Sequence, residues 1–222
     1  VTGDGFVTNN GITYCDLTTA YNTQYQTNKN YTVPTVSVNV SINNTPKKGS
    51  VTLDKKDATT GIAVPDGTFV VQWQNTSGTW ADYRTMTFNS SLQKYVSGEI
   101  RWKTGASGNY RVVEREPGYG FYATRDKVLG TFTLTGSNQN FAINATNPEV
   151  TGVININKIN ADTGLYDSQG DADITRARFT LKAAEDIHRP NSTTVLYKKD
   201  EVISTKELDS TGHASWSGLA IG

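Results

Sequence analysis

Residues 44–61 read Asn44-Thr45-Pro46-Lys47-Lys48-Gly49-Ser50-Val51-Thr52-Leu53-Asp54-Lys55-Lys56-Asp57-Ala58-Thr59-Thr60-Gly61, and the pattern returns at Asn147-Pro148-Glu149-Val150-Thr151-Gly152-Val153-Ile154-Asn155-Ile156-Asn157-Lys158-Ile159-Asn160-Ala161-Asp162-Thr163-Gly164. No gap is needed. Asn44 falls on Asn147, Gly49 on Gly152, Lys55 on Lys158 and Gly61 on Gly164, a constant offset of 103 residues. That is the usual length of one β-sandwich domain. Gly67–Val71 resembles Ala177–Leu181, and Trp102–Gly108 resembles Trp216–Gly222.

The repeat divides the chain. A complete domain runs from 48 to 150, residues 1–47 are the C-terminal part of a preceding β-domain, and residues 151–222 are the N-terminal part of a following one. The joins, Thr45-Pro46-Lys47-Lys48 and Pro148-Glu149-Val150-Thr151, are short, so neighbouring domains of the same polypeptide are expected to stack with little freedom. Val1 falls in mid-pattern, and the chain reads as a piece of a longer polypeptide whose targeting or anchoring signals lie elsewhere.

Composition supports an all-β reading. Twenty Gly, eleven Tyr and abundant Thr, Asn and Ser suit short strands joined by tight turns. Only 10–24 and 182–188 read as candidate short helices. Twenty-one basic and twenty-one acidic residues balance to a formal charge of zero. No basic stripe argues for nucleic acid, and no polybasic tail or apolar run argues for membrane insertion. The single cysteine, Cys15, permits no intrachain disulfide.

Strand parity singles out three polar residues. Residues two apart in a strand share a face. Val51, Leu53 and Lys55 form one such set, and Ile154, Ile156 and Lys158 repeat it. Tyr110, Val112 and Glu114 form a second set, and Phe141, Ile143, Ala145 and Asn147 a third; Val36–Ile42 leads to Asn44 in the same way. An inward face thus ends in an amine, a carboxyl and a carboxamide. Each alone reads as a strand end turning to water. The recurrence of Lys and Asn at one offset favours a buried trio, which needs mutual satisfaction or reaction. Desolvation favours the neutral forms of amine and carboxylic acid. A neutral Lys55 is a nucleophile toward the Asn147 carboxamide, and Glu114 is the acid and proton shuttle for an amide cross-link that releases ammonia. Lys158 and Asn44 are the unpaired equivalents, and Glu116 is a lesser candidate for the acid. This is single-turnover self-modification, not enzyme activity on a substrate.

Gly49–Lys55 followed by Asp57–Gly61 resembles the opening strand of the collagen-adhesin B-type (Cna-B) repeat, the prealbumin-like or SpaA-type domain of pilin and adhesin stalks in Gram-positive surface proteins. Tyr110–Glu114 with Pro117-Gly118-Tyr119 resembles that family's E-box, and Asn147-Pro148 and Asn44-Thr45-Pro46 resemble its closing Asn-x-Pro segment. The resemblance implies tandem immunoglobulin-like or prealbumin-like β-sandwich domains, an extracellular place at the cell wall or cell surface, and a structural stalk rigidified by a Lys–Asn isopeptide bond. The alternatives are a binding module for a host extracellular matrix protein or glycan, through loops near 74–82 and 116–128, and an accessory β-module of a secreted enzyme.

Other signals assign no metal and no cofactor. His188 and His213 lack ligand spacing. Asp167, Asp171 and Asp173 read as a solvated turn rather than a calcium loop. Trp73, Trp80 and Trp102 suggest a sugar platform, although Trp73 fits a core strand better. Cys15, with Gln24 and Gln26 nearby, admits a thioester, and the plainer reading is a small buried hydrophobe.

Overall fold

The computed structural model describes residues 6–7, 43–168, 170 and 173–221. Most of the N-terminal part therefore lies outside the described residues, including Cys15, Gln24, Gln26, the 10–24 helix expectation and the strand leading to Asn44; so does Asp171. Among the described residues no helix is long and apolar enough to cross a membrane.

Strands β1 (Phe6–Val7) and β2 (Thr45–Pro46) pair antiparallel. Nine strands come after them: β3 (Lys48–Asp57), β4 (Thr68–Asn75), β5 (Trp80–Thr85), β6 (Thr87–Asn89), β7 (Lys94–Val96), β8 (Ile100–Arg101), β9 (Ala106–Glu116), β10 (Lys127–Thr133) and β11 (Gln139–Asn147). They build two sheets: β10-β9-β4-β5, and β11-β3-β7-β6 with β8 also on β3. The arrangement is a β-sandwich, as the alternating pattern predicts. In β3 the odd positions from Gly49 to Asp57 are buried and the even ones are not, the period-2 signature of a sheet with one face on a core.

The core lies between the sheets. Val51, Leu53, Phe69, Val71, Tyr95, Ile100, Tyr110, Val112 and Leu134 form its buried centre. Aromatic rings knit it: Phe69 meets Tyr95 edge-on at 4.5 Å, and Phe132 stacks on Phe141 at 4.5 Å.

The closing strand sets the architecture. β11 pairs with β3 in parallel, in register from Gln139↔Gly49 to Asn147↔Asp57. Parallel neighbours need a crossover, and here the crossover is the whole of the intervening sandwich. Gly49 permits the close approach, because a Cβ there would sit 2.5 Å from the Gln139 carbonyl oxygen. Its repeat equivalent Gly152 is open: the nearest atom to a Cβ is 3.8 Å away.

Beyond Asn147 come β12 (Thr151–Asn157), a short 3-10 turn (Ile174–Arg176), β13 (Arg178–Lys182), β14 (Ile187–His188), β15 (Val195–Tyr197), β16 (Val202–Glu207) and β17 (His213–Ala220). They pair as β12-β17, β13-β16 and β14-β15, and residues of β12, β13 and β17 pack around a small core of Leu208, Ala214 and Trp216. The turn after β12 copies the turn after β3. The Asp57 and Asn160 amides donate to the carbonyls of Ile62 and Leu165, at 2.8 and 2.9 Å. Gly61 and Gly164 donate back to Asp57 and Asn160, both with positive φ.

Two expectations change. Residues 182–188 are not helical: Ala183 is buried and bonded through its backbone to Asp200 and Glu201, extending the β13-β16 ladder, and the stretch is too short to nucleate a helix alone. Trp216 does not occupy the place of Trp102. Gly152 pairs with Leu219 as Gly49 pairs with Ile100, so β17 stands where β7 and β8 stand, whereas Trp102 lies outside any strand.

Gly49→Ala is expected to destabilise the sandwich by about 1–3 kcal/mol, since the methyl meets backbone rather than a side chain that can move away. Gly152→Ala is expected to be close to neutral. Urea midpoints of the two variants check the contrast.

Candidate functional site

Lys55, Glu114 and Asn147 meet in the core. Lys55 comes from β3 and Asn147 from the end of β11, in the same sheet, while Glu114 reaches across from β9 in the facing sheet. Their relative exposures are 1, 1 and 0%. Parity explains the convergence. Lys55 follows Val51 and Leu53 on the inner face, Glu114 follows Tyr110 and Val112, and Asn147 follows Phe141, Ile143 and Ala145. Because Ala145 is opposite Lys55, Asn147 lies one inward position further along the parallel neighbour.

One oxygen joins the trio. Glu114 Oε1 lies 3.2 Å from Lys55 Nζ and accepts a hydrogen bond from Asn147 Nδ2 at 2.7 Å. Glu114 Oε2, Asn147 Oδ1 and Lys55 Nζ are otherwise buried without a hydrogen-bond partner. Such under-satisfaction is rare in a core and costs about 1–3 kcal/mol per group. Burial pulls the Lys55 amine below its ordinary value of 10.5, against the opposing pull of the Glu114 charge. The pocket therefore brings an amine disposed to lose its proton, a carboxyl group and a carboxamide together, out of water.

The neighbouring Asp57 is also buried, and the sequence pattern alone did not mark it. Its carboxylate accepts from the Thr59 amide at 2.8 Å and from the Thr60 hydroxyl, fixing the turn that follows the lysine strand. The available signal was its parity with Lys55. Glu116, the lesser candidate, is exposed and accepts from the Thr68 hydroxyl at 3.3 Å, away from the trio. Lys158 is exposed just past the end of β12, so it does not repeat the buried place of Lys55. Asn44 is half-buried immediately before β2.

The remaining candidates have local roles. Asp173 caps the 3-10 turn through the Thr175 amide, and Asp167 accepts from the Thr163 hydroxyl. His188 and His213 lie in different strand pairs, β14-β15 and β12-β17. Each tryptophan of the suggested platform faces a cation: Lys103 on Trp73 at 4.9 Å, Arg111 on Trp80 at 4.4 Å, and Lys47 on Trp102 at 4.5 Å.

No family model and no curated protein matches the chain. Among solved structures, it is similar to the Bacillus anthracis TIE protein at a TM-score of 0.51 and 15% identity, over 78% of this chain and 27% of that one. The likeness is one of fold, the β-sandwich described above. A Streptococcal ancillary pilin aligns at 20% identity and a TM-score of 0.36, over 82% of this chain and 54% of the pilin. The major pilin subunit BcpA of Bacillus cereus aligns at 14% identity and a TM-score of 0.38, over 49% and 31%. At these identities the likeness speaks to fold alone, and the chain spans about a quarter of the TIE protein's length and about half of the ancillary pilin's.

The lowered Lys55 value has a stability consequence in a variant that keeps the amine but lacks the carboxamide. The unfolded lysine binds its proton up to about its ordinary value, whereas the folded one releases it sooner. Asn147→Ala is therefore expected to gain stability as pH rises from the lowered folded value toward 10.5. Adding Lys55→Met and Glu114→Gln should remove that contribution, as urea midpoints across the alkaline range would report.

Proposed function

We propose that the chain is a structural stalk segment of a cell-wall-anchored bacterial surface adhesin or ancillary pilin, stapled by an autocatalytic bond between Lys55 and Asn147. The observation that carries this reading is the dry trio, in which nucleophile and leaving nitrogen both contact one carboxylate oxygen. The sandwich of 48–150 is the complete stapled domain, with 1–47 and 151–222 as parts of its neighbours. The pilin-like fold supports placement outside the cell.

The reaction starts with transfer of the Lys55 ammonium proton to Glu114 along their 3.2 Å contact. Burial favours this step, because it replaces two desolvated charges by two neutral groups. An ionised Glu114 holds the Nδ2 side of the amide, as observed. Once protonated it becomes a donor, and rotation of the carboxamide by half a turn brings Oδ1 to the new O–H. Lys55 Nζ then attacks Asn147 Cγ. The C–N bond forms, Oδ1 takes up the developing negative charge, and Glu114 stabilises it. Nδ2 leaves as ammonia, carrying protons relayed from Nζ through Glu114. The product is a neutral secondary amide, with no oxidant or cofactor consumed. Contact within the folded core supplies the effective molarity that an amine and an unactivated amide lack in solution.

Intact-mass measurement tests this directly. The purified chain is expected to weigh one ammonia less than its sequence. Lys55→Ala and Asn147→Ala restore the full mass, Glu114→Ala leaves the sandwich assembled at full mass, and Glu116→Ala keeps the deficit. On chain-entropy grounds the bond closes a loop of roughly a hundred residues and stabilises by about 4–5 kcal/mol, so Asn147→Ala should also lower the urea midpoint. Full mass in the unaltered chain would sink the staple.

A further inference from the structure

The Glu-containing strand β9 ends in a loop, 117–122, that the cross-linking chemistry does not use. This loop is bonded to the linker that leaves the sandwich. The Tyr122 amide donates to the Pro148 carbonyl at 3.0 Å, the Val150 amide donates to the Gly120 carbonyl at 2.8 Å, and Phe121 and Glu149 form an antiparallel bridge. β12 begins at the next residue, Thr151. Almost no free backbone separates the sandwich from the β12 segment.

A second set of contacts comes from the far side of the join. Between β14 and β15 the chain turns at Arg189-Pro190-Asn191-Ser192, closed by the Ser192 amide on the Arg189 carbonyl at 3.1 Å. Arg189 Nη1 donates to both oxygens of Glu149, at 3.0 and 3.1 Å. Asn191 Nδ2 donates to Asp66 Oδ1 at 3.0 Å, while Asp66 Oδ2 accepts the Tyr119 amide at 2.9 Å. Pro190 is buried between them and packs on Gly120, where an added Cβ would lie 2.5 Å from the proline Cγ. Gly120 has a φ of 78°, a conformation that also favours glycine. A cation, an apolar ring and an amide on one turn thus meet a carboxylate, a bare backbone and a second carboxylate on the sandwich.

We infer that Asp66, the 117–122 loop and Glu149 form a seat for the Arg189–Ser192 turn, which locks the sandwich and the following segment in one orientation. The seat recognises a short turn with a basic residue, a buried proline and a carboxamide in series. It gives Pro117-Gly118-Tyr119-Gly120 a task separate from the adjoining acid. Charge complementarity sets its polarity: two carboxylates face the turn from the sandwich and its linker, and one guanidinium answers from the following segment.

This inference does not rest on the Lys55–Asn147 bond, and its test reads a different observable. In the full chain, Arg189→Ala/Asn191→Ala removes contacts from the following segment and leaves every sandwich residue intact. Native-state amide exchange at Tyr122, Val150 and Tyr119 is expected to accelerate about tenfold, because the bridge loses its cover, while Leu53 and Val112 exchange as before. The mass deficit should be the same in both proteins. Unchanged exchange at Tyr122 and Val150 in the double variant would overturn the seat and leave the staple untouched; full mass with accelerated exchange would do the reverse.

Discussion

The parallel ladder between β3 and β11 is the constraint on which the rest depends. It joins the two ends of the sandwich sequence, and it alone brings Asn147 beside Lys55. Side chains alternate along a strand, so a slip of one residue would send Lys55 outward and bury Lys56 instead. The register is held by the inward sequence Val51, Leu53 against Phe141, Ile143, and by Gly49, which lets the strands close at their first pair. Such long-range parallel pairing carries the loop-closure cost of every strand between, which slows its formation relative to local contacts. Contact between amine and carboxamide is therefore a property of the finished fold, and a reaction that needs it waits for folding to be complete.

Electrostatics adds urgency to that geometry. A lysine and a glutamate at 1% exposure have left water for one mutual contact, with a second carboxylate oxygen and an amide oxygen unsatisfied beside them. Buried pairs of this kind rarely improve on hydrophobic residues of the same volume, because desolvating each ion costs several kcal/mol. The arrangement is poor as a purely structural device. It is well suited to chemistry that abolishes the charges, and amide formation does so.

Much of the site was legible because parity and repetition act on the backbone before tertiary structure is known. Lys55, Glu114 and Asn147 each end an inward series, and all three are buried together. Parity says which face a residue occupies but not which strand lies next to it, so the parallel direction of β3 and β11 was invisible. The match of Trp216 to Trp102 failed for a related reason: residue identity carried it, while the register of β12 with β17 places Trp216 opposite Ile154. Lys158 shares the sequence pattern of Lys55 yet is exposed, since a matching strand end is buried only where a facing sheet and a closing strand cover it. The seat for Arg189 has no periodic signature at all. Glu149 is 40 positions from Arg189 and Asp66 is 125 from Asn191, and all four lie outside the strands, where sequence says least about contact.

The parallel ladder also sets how the sandwich would respond to tension between its two ends. With β3 and β11 running in the same direction, the chain enters the sandwich at Lys48 at one pole and leaves past Asn147 at the other. Tension between neighbours then shears the ladder along its length, loading its hydrogen bonds together rather than unzipping them in turn. With the proposed bond in place, the covalent path runs from Lys48 along β3 to Lys55, crosses to Asn147 and continues into the linker. Residues 56–146, which include most of the core, lie outside that path and cannot be extended. Beyond Asn147 the Arg189 turn grips Glu149 two residues on, so the load passes into the following segment without a slack tether. The proposed staple and the inferred seat would act in series: one would keep the sandwich from stretching, and the other would keep the joint from bending.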